Sequence, residues 1–237
     1  MGKLTIFIGG LIILVAGWLL FSADNNKVEV PAGANVEQEQ VMDEDDADER
    51  TAITAGSYAV DTEKSIVNWS GKKPLIDGYI NTGEISLSEG SIEVLENDAT
   101  GSFVIAMDTL TVGLTAKKPD QETALEGHLK GDRWFDVVAY PTATFVINEL
   151  TPKADSATTF TYTIEGDLTL KGQTHPVTFD AVIYENADGT IRAEATTEID
   201  RTKWGITAGS ASFFDNLADN AIDNMIALSF TLVATKQ

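Results

Sequence analysis

From residue 162 to 183 the chain alternates. Tyr162, Ile164, Gly166, Leu168 and Leu170 take every second position against Thr163, Glu165, Asp167 and Thr169; after Lys171-Gly172-Gln173 the alternation resumes with Val177, Phe179, Ala181 and Ile183. A period of two with a short polar break predicts a long β-hairpin with one dry and one wet face. A lone hairpin does not bury such a face, so other strands must cover it.

The same rhythm recurs on both sides. Residues 57–61 and 65–72, the latter with Val67 and Trp69 on one face, lead into a strand carrying Tyr79, Ile85 and Leu87 and a short partner over 91–95. Residues 101–110, which include Phe103, are apolar at both alternations, so their inward face stays unassigned. Residues 142–150 place Phe145 and Ile147 together. After the turn Asn186-Ala187-Asp188-Gly189, residues 190–199 set Ile191, Ala193, Ala195, Thr197 and Ile199 against Arg192, Glu194, Thr196 and Glu198. The last strand, 225–236, is apolar enough on both faces to be central or to close a barrel. The small inward residues of 190–199 leave space inside the fold.

One stretch breaks the pattern. Pro119 suits a first helical turn, Asp120 and Glu122 complement its positive end, and Lys130-Gly131 stops it, which predicts a helix of about three turns over 119–130. The aromatic pair Trp134-Phe135 behind it is read as plugging a barrel mouth or packing the helix onto it, with direct ligand contact as the alternative.

Residues 4–21 are apolar and uncharged, preceded by Lys3 and followed by Asp24. At ~1.5 Å per residue they span roughly 27 Å, near the hydrocarbon thickness of a bilayer. Phe21 stands where a cleavage site wants a small residue, which favours an uncleaved anchor over a signal peptide. Residues 1–23 are thus an anchor or signal segment. Residues 24–55, with the run Asp43 to Glu49 and no aromatic residue, read as a disordered acidic linker, and 56–237 as the folded domain. The flanking charges place the domain outside the cytoplasm, in the periplasm and held at the inner membrane, or secreted if the segment is cut.

The formal charge is −21, and residues 56–237 carry 13 basic and 27 acidic residues, −14. That excludes nucleic acid as a partner through phosphate neutralisation, and argues against anionic lipid headgroups on the same ground. With no cysteine and only His128 and His175, disulfides, thiolate chemistry and a histidine-rich metal site fall away. His128 reads as a helix-end histidine and His175 as a turn residue. No nucleophile elbow, phosphate loop or dinucleotide fingerprint is present, and nothing assembles a nucleophile, base and oxyanion hole. Arg201 and Lys203 beside Trp204 and the Phe213-Phe214 loop carry two readings: an Asp200–Arg201 ion pair fixing a corner, or cations that meet a polar headgroup at a mouth.

The segment from Gly166 to Phe179, GDLTLKGQTHPVTF, resembles the signature hairpin of the YceI-like family. His128-Leu-Lys-Gly-Asp-Arg-Trp-Phe-Asp136 with the run from Tyr140 to Phe145 is similar to its helix-to-strand segment, Ile199-Asp-Arg-Thr-Lys-Trp-Gly-Ile206 to its last crossover, and Tyr58-Ala-Val-Asp61 followed by Ser65-Ile-Val-Asn-Trp69 to its start. The resemblance implies an all-β, eight-stranded antiparallel, lipocalin-like barrel that is no enzyme, needs no cofactor or metal, and holds a long isoprenoid lipid of quinone or polyprenyl type. Trp69, Phe103, Phe145, Ile147, Leu168 and Leu170 are then expected to line it, with Phe179, Ile183, Ala195, Trp204 and Phe213. Arg201 and Lys203 are expected at the headgroup. The membrane partner is expected through residues 4–21, the oligomeric state stays open, with a dimer among the options, and the alternative is a tethered structural or stress-related interaction protein whose barrel is filled by its own aromatics.

Overall fold

In a computed structural model of the chain, residues 50–237 are described, apart from Asn97 and Asp155. The anchor or signal segment over 1–23 and the linker up to residue 49 lie outside the described residues, among which no helix is long and apolar enough to cross a membrane.

Among the described residues ten strands form: β1 (Gly56–Val60), β2 (Ile66–Lys72), β3 (Ile80–Val94), β4 (Ala99–Ala106), β5 (Thr111–Thr115), β6 (Thr142–Pro152), β7 (Thr161–Leu170), β8 (Gln173–Glu185), β9 (Thr190–Asp200) and β10 (Met225–Lys236). Each pairs antiparallel with its neighbours, and β9 pairs with β10 and β10 with β2, so that eight strands close a barrel. Strand β1 replaces β2 between β10 and β3 toward one end, where Tyr58 faces Lys236 and Ile92. Closure leaves the eight staves no free edge.

The register puts the apolar alternation inside. Leu168 pairs with Phe145, Ile164 with Phe179, Ala195 with Ala181 and Phe230, and Ile199 with Ile226. On β4, Gly101 and Phe103 face Ile147 and Phe145, which assigns the inward face left open over 101–110. Strand β3 is one element of 15 residues rather than two. Its register shifts between Leu87 and Glu89, and that of β6 between Ile147 and Glu149. Each bulge switches the inward parity, from Ile85 and Leu87 to Ile92 and Val94, and from Ile147 to Leu150, while bending the staves around the core. Read by strict alternation, the first switch splits β3 in two.

The barrel's two ends are built differently. At one end residues 50–55, given to the linker by composition, are bonded to the wall: Thr51 exchanges two backbone hydrogen bonds of 2.9 Å with Glu185, and Tyr58, fully buried, donates from its hydroxyl to the Thr54 carbonyl at 2.8 Å. Arg50 lies 4.3 Å over the Tyr184 ring. At the other end stands helix α1 (Glu122–Lys130), with a single turn α2 (Ser156–Thr159) elsewhere. Helix α1 starts at Glu122 rather than at Pro119, because Asp120 sits at φ +66°, a left-handed conformation a helix does not continue through. Its stop is as expected, with the Gly131 N–H donating to the His128 carbonyl.

Candidate functional site

The inward side chains do not fill the barrel. Toward the end that residues 50–55 close, an inner cavity of about 130 Å³ is lined by Ile53 and by residues of every stave, among them Phe103, Phe145, Ile147, Phe179, Ile183 and Ala193. Its lining has no charged or amide side chain, and Thr197 and Thr231 are the two polar residues in it. Four phenylalanines run around it in sequence: Phe103 to Phe145 at 6.4 Å between ring centres, Phe145 to Phe179 at 5.7 Å, Phe179 to Phe230 at 5.2 Å. Gly166 makes room for that run, since a Cβ there would stand 2.5 Å from the Phe145 ring. Phe145, Phe179 and Phe230 are only half-buried although they point inward. Their remaining exposed surface faces the cavity.

Toward α1 lies an outer cavity of about 280 Å³. Val67, Ile105, Leu168, Ile199 and Leu228 border both spaces, so the two adjoin along the barrel. Trp69, Leu125, Leu129, Trp134, Phe135 and Leu170 supply its apolar wall, and Lys72, Lys73, Tyr79, Asn81, His128, Arg201 and Asp223 also border it. Asn81 stands at the inward position of β3 next above Gly83 and Ile85, and its Oδ1 is buried with no hydrogen-bond partner among the described residues. A buried amide oxygen left without a donor costs about 1–3 kcal/mol.

The walls of the outer cavity are held by hydrogen bonds as well as packing. The Trp204 indole, 1% exposed, donates to the Leu168 carbonyl at 3.0 Å and meets the His175 ring edge-on at 5.2 Å. The Trp69 indole donates to the Thr111 carbonyl at 3.1 Å, over Gly83, where a Cβ would stand 1.8 Å from that same oxygen. Arg201 is 1% exposed and donates to the carbonyls of Asp223 at 2.9 Å, Ile206 at 2.6 Å and Ile222 at 3.3 Å, with its guanidinium 5.1 Å over Trp134. Burial lowers its pKa, partly offset by the nearby Asp200 and Asp223 carboxylates, and a guanidinium stays charged through such a shift.

Of the residues expected to line the barrel, Phe103, Phe145, Ile147, Phe179 and Ile183 border the inner cavity, Trp69 and Leu170 the outer, and Leu168 both. Ala195 points inward but is packed between Ala181 and Phe230 and borders neither. Trp204 is sealed into the wall. Phe213 is 56% exposed on an outer loop, because the glycine- and serine-rich stretch before it carries the chain away from the staves. Arg201 borders the outer cavity, with its guanidinium held by the three carbonyls it ties together. Asp200, for its part, accepts from Thr202, at 3.0 Å from its N–H and 2.6 Å from its hydroxyl, capping the turn that follows. Lys203 is exposed and borders neither cavity. Tyr79, read only as a strand residue, and Asn81 were not assigned to a site, since they precede the apolar run of β3; the reversal of direction at Asp77-Gly78 was the one signal that they belong at a rim. Phe230 and Leu228 were hidden in a strand apolar on both faces.

Among known proteins, the YceI-like domain model matches residues 58–234. A UPF0312 protein of Yersinia pestis is 33% identical over 136 residues, covering 55% of this chain and 62% of that protein, so the match spans less than two thirds of the relative's length. A UPF0312 protein of Vibrio cholerae is 26% identical over 171 residues, 69% of this chain and 85% of the other. Two solved structures share the fold: Burkholderia cenocepacia BcnA, with a TM-score of 0.55 and 22% identity over 74% of this chain and 99% of that one, and a polyisoprenoid binding domain from Saccharophagus degradans, with 0.57 and 18% over 76% and 98%. The family match runs from β1 into β10 and takes in every stave of the barrel, and the chain belongs to the YceI-like domain family.

Proposed function

We propose that this protein binds one long apolar lipid of isoprenoid type, a quinone or polyprenyl chain, with its tail in the inner cavity and its polar head at the outer one. The observation that carries the reading is the pair of adjoining cavities, the inner lined by hydrocarbon and two threonines, the outer bordered by polar side chains as well as apolar ones. At ~0.8 kcal/mol per buried methylene, a tail of a few isoprene units supplies strong binding without a charged contact. The orphaned Asn81 Oδ1 fits a head that donates a hydrogen bond, which favours a prenol or quinol hydroxyl. The polyisoprenoid binding domain from Saccharophagus degradans, similar in fold, supports a lipid of this class. The chain acts as a carrier or store rather than as an enzyme, outside the cytoplasm and tethered through residues 4–21.

Mass spectrometry of solvent extracts tests this. Protein purified from cells is expected to release one apolar species per barrel. An empty extract, with no uptake of added polyprenol or quinone, overturns the proposal.

A further inference from the structure

Eight large apolar side chains are exposed among the described residues, and five of them sit on loops at the end of the barrel that bears α1: Leu75 at 64%, Val138 at 96%, Tyr140 at 38%, Phe213 at 56% and Phe214 at 46%. A sixth, Leu114, is on β5, paired with Thr82 next to Asn81. The loop with Leu75 and the loop with Phe213 and Phe214 are joined at the rim of the outer cavity, by the Asp223 N–H donating to the Lys72 carbonyl at 2.9 Å and Lys73 Nζ to Asn220 Oδ1 at 3.3 Å. The apolar tips therefore stand around the open end of the cavity. Both described chain ends lie at the opposite end, where Thr51 pairs with Glu185 and the Gln237 N–H bonds the Ser57 carbonyl.

Charge divides the molecule the same way. The segments at the open end, 73–79, 107–110, 116–141, 171–172 and 201–224, hold eight basic and ten acidic residues, −2, against six and seventeen, −11, for the rest of 50–237. An anionic surface repels the body of the barrel and is nearly indifferent to this one end. The apolar tips stand on three loops, Leu75 on one, Val138 and Tyr140 on a second and Phe213 with Phe214 on a third, with Lys73, Lys117 and Lys203 as well as Asp77, Asp136 and Asp215 in the same segments, and Lys73 lies 4.9 Å over the Tyr79 ring. Apolar tips carried on three loops, with charged side chains of both signs between them, match a layered partner, with polar headgroups above and acyl chains below, better than a protein surface, which calls for one contiguous patch.

We propose that the open end of the barrel seats on a lipid bilayer, with Leu75, Val138, Phe213 and Phe214 entering the boundary between headgroups and acyl chains. The lipid-binding reading explains why a bilayer would be met here, and the test keeps the two apart. The chain has no cysteine, so Val138→Cys, Phe214→Cys and, at the closed end, Ala187→Cys each accept a single environment-sensitive fluorophore. The full chain is placed in vesicles of phosphatidylcholine with a quarter phosphatidylglycerol. Labels at 138 and 214 are expected to shift to the blue and to be quenched by lipids spin-labelled near the headgroup, while the label at 187 stays in water. Equal quenching at all three, or none at 138 and 214, overturns the inference. Shielding of 138 and 214 without vesicles, rising with protein concentration, assigns the end to a second copy instead and overturns it too. A Leu75→Ser, Phe213→Ser, Phe214→Ser variant is expected to take a fluorescent polyprenol from vesicles at least about tenfold more slowly, with its affinity for soluble farnesol unchanged. If the wild type binds neither farnesol nor polyprenol while 138 and 214 are still quenched, the lipid-carrier reading fails and the docking stands.

Discussion

Around the inner cavity no charged or amide side chain reaches the lining, whereas the outer one is bordered by two lysines, an arginine, an aspartate, an asparagine and a histidine. The inner half is held by packing: Tyr58, Ala99 and Ala234 are fully buried, and Phe103, Phe145, Phe179 and Phe230 touch in series. The outer half is held by struts, the indoles of Trp69 and Trp204 and the guanidinium of Arg201, each donating to backbone carbonyls of neighbouring segments. The difference separates two tasks. A hydrocarbon wall holds a tail at any depth, and only the strutted end can decide which way round it lies and what head it carries.

The largest test of that division is a strut. Trp204→Ala removes a side chain 1% exposed and leaves the Leu168 carbonyl without its donor, and the expected loss is about 3–5 kcal/mol in denaturant unfolding. Phe179→Leu, by contrast, widens a space already present around a half-buried ring and should cost about 1 kcal/mol. Equal costs for the two would show that both halves are stabilised alike. Next in size is the inner cavity itself. Ala193→Phe aims a ring into it and should lower polyprenol affinity roughly 100- to 1000-fold, the worth of an excluded isoprene unit, with little change in unfolding midpoint. Were the inner space too tight, the same substitution would instead destabilise by about 1–3 kcal/mol with whatever binding remains unaltered.

Much of this was legible in the residues. The hairpin of β7 and β8 and the inward face of β9 follow from period-two alternation, because each stave has one wet face and one dry one. The long β3 was not, because a bulge after Leu87 reverses the parity and strict alternation reads the reversal as a break. The face of β4 was blurred by Val104 and Ala106, which are outward yet half-buried, and only the pairing with β6 settles it. In the site, the inner lining was readable one residue at a time, while its pairing across the barrel was not. The rim came from register: Tyr79 from the loop before β3, Asn81 from β3 itself, Asp223 from another loop, His128 from α1, with no spacing in the chain that joins them. Phe213 shows the opposite limit, since an apolar residue in a loop carries no sign of whether it faces a cavity or the outside.

A smaller effect is expected where the outer cavity reads the head. Asn81→Leu removes the buried acceptor, so a prenol should bind about tenfold less well, roughly 1.4 kcal/mol, while its methyl ether, which donates no hydrogen bond, should bind at least as well as before. Parallel losses for both would assign Asn81 to packing rather than recognition, and would leave the outer cavity as unselective as the inner.

The smallest concerns the helix that stands over the outer cavity. The Thr115 hydroxyl donates to Glu122 and, with backbone contacts, holds its carboxyl below the usual glutamate value despite some desolvation. A group whose folded pKa is depressed contributes stability above its unfolded value and loses it as the pH falls through the folded one. The tie between β5 and the start of α1 is therefore complete at neutral pH and fades below about pH 4.5. Because Glu122 titrates at the solvent, the effect is local: the unfolding midpoint of the wild type should exceed that of Glu122→Gln slightly at pH 6, and the gap should shrink as the pH falls below the ordinary glutamate value. No comparable acid dependence is expected from the lining of the inner cavity, which contains nothing that titrates. A gap between the two proteins that is constant from pH 6 to 3 would mean that the ionised carboxylate contributes nothing, and that Thr115 holds the helix equally well through a neutral acceptor.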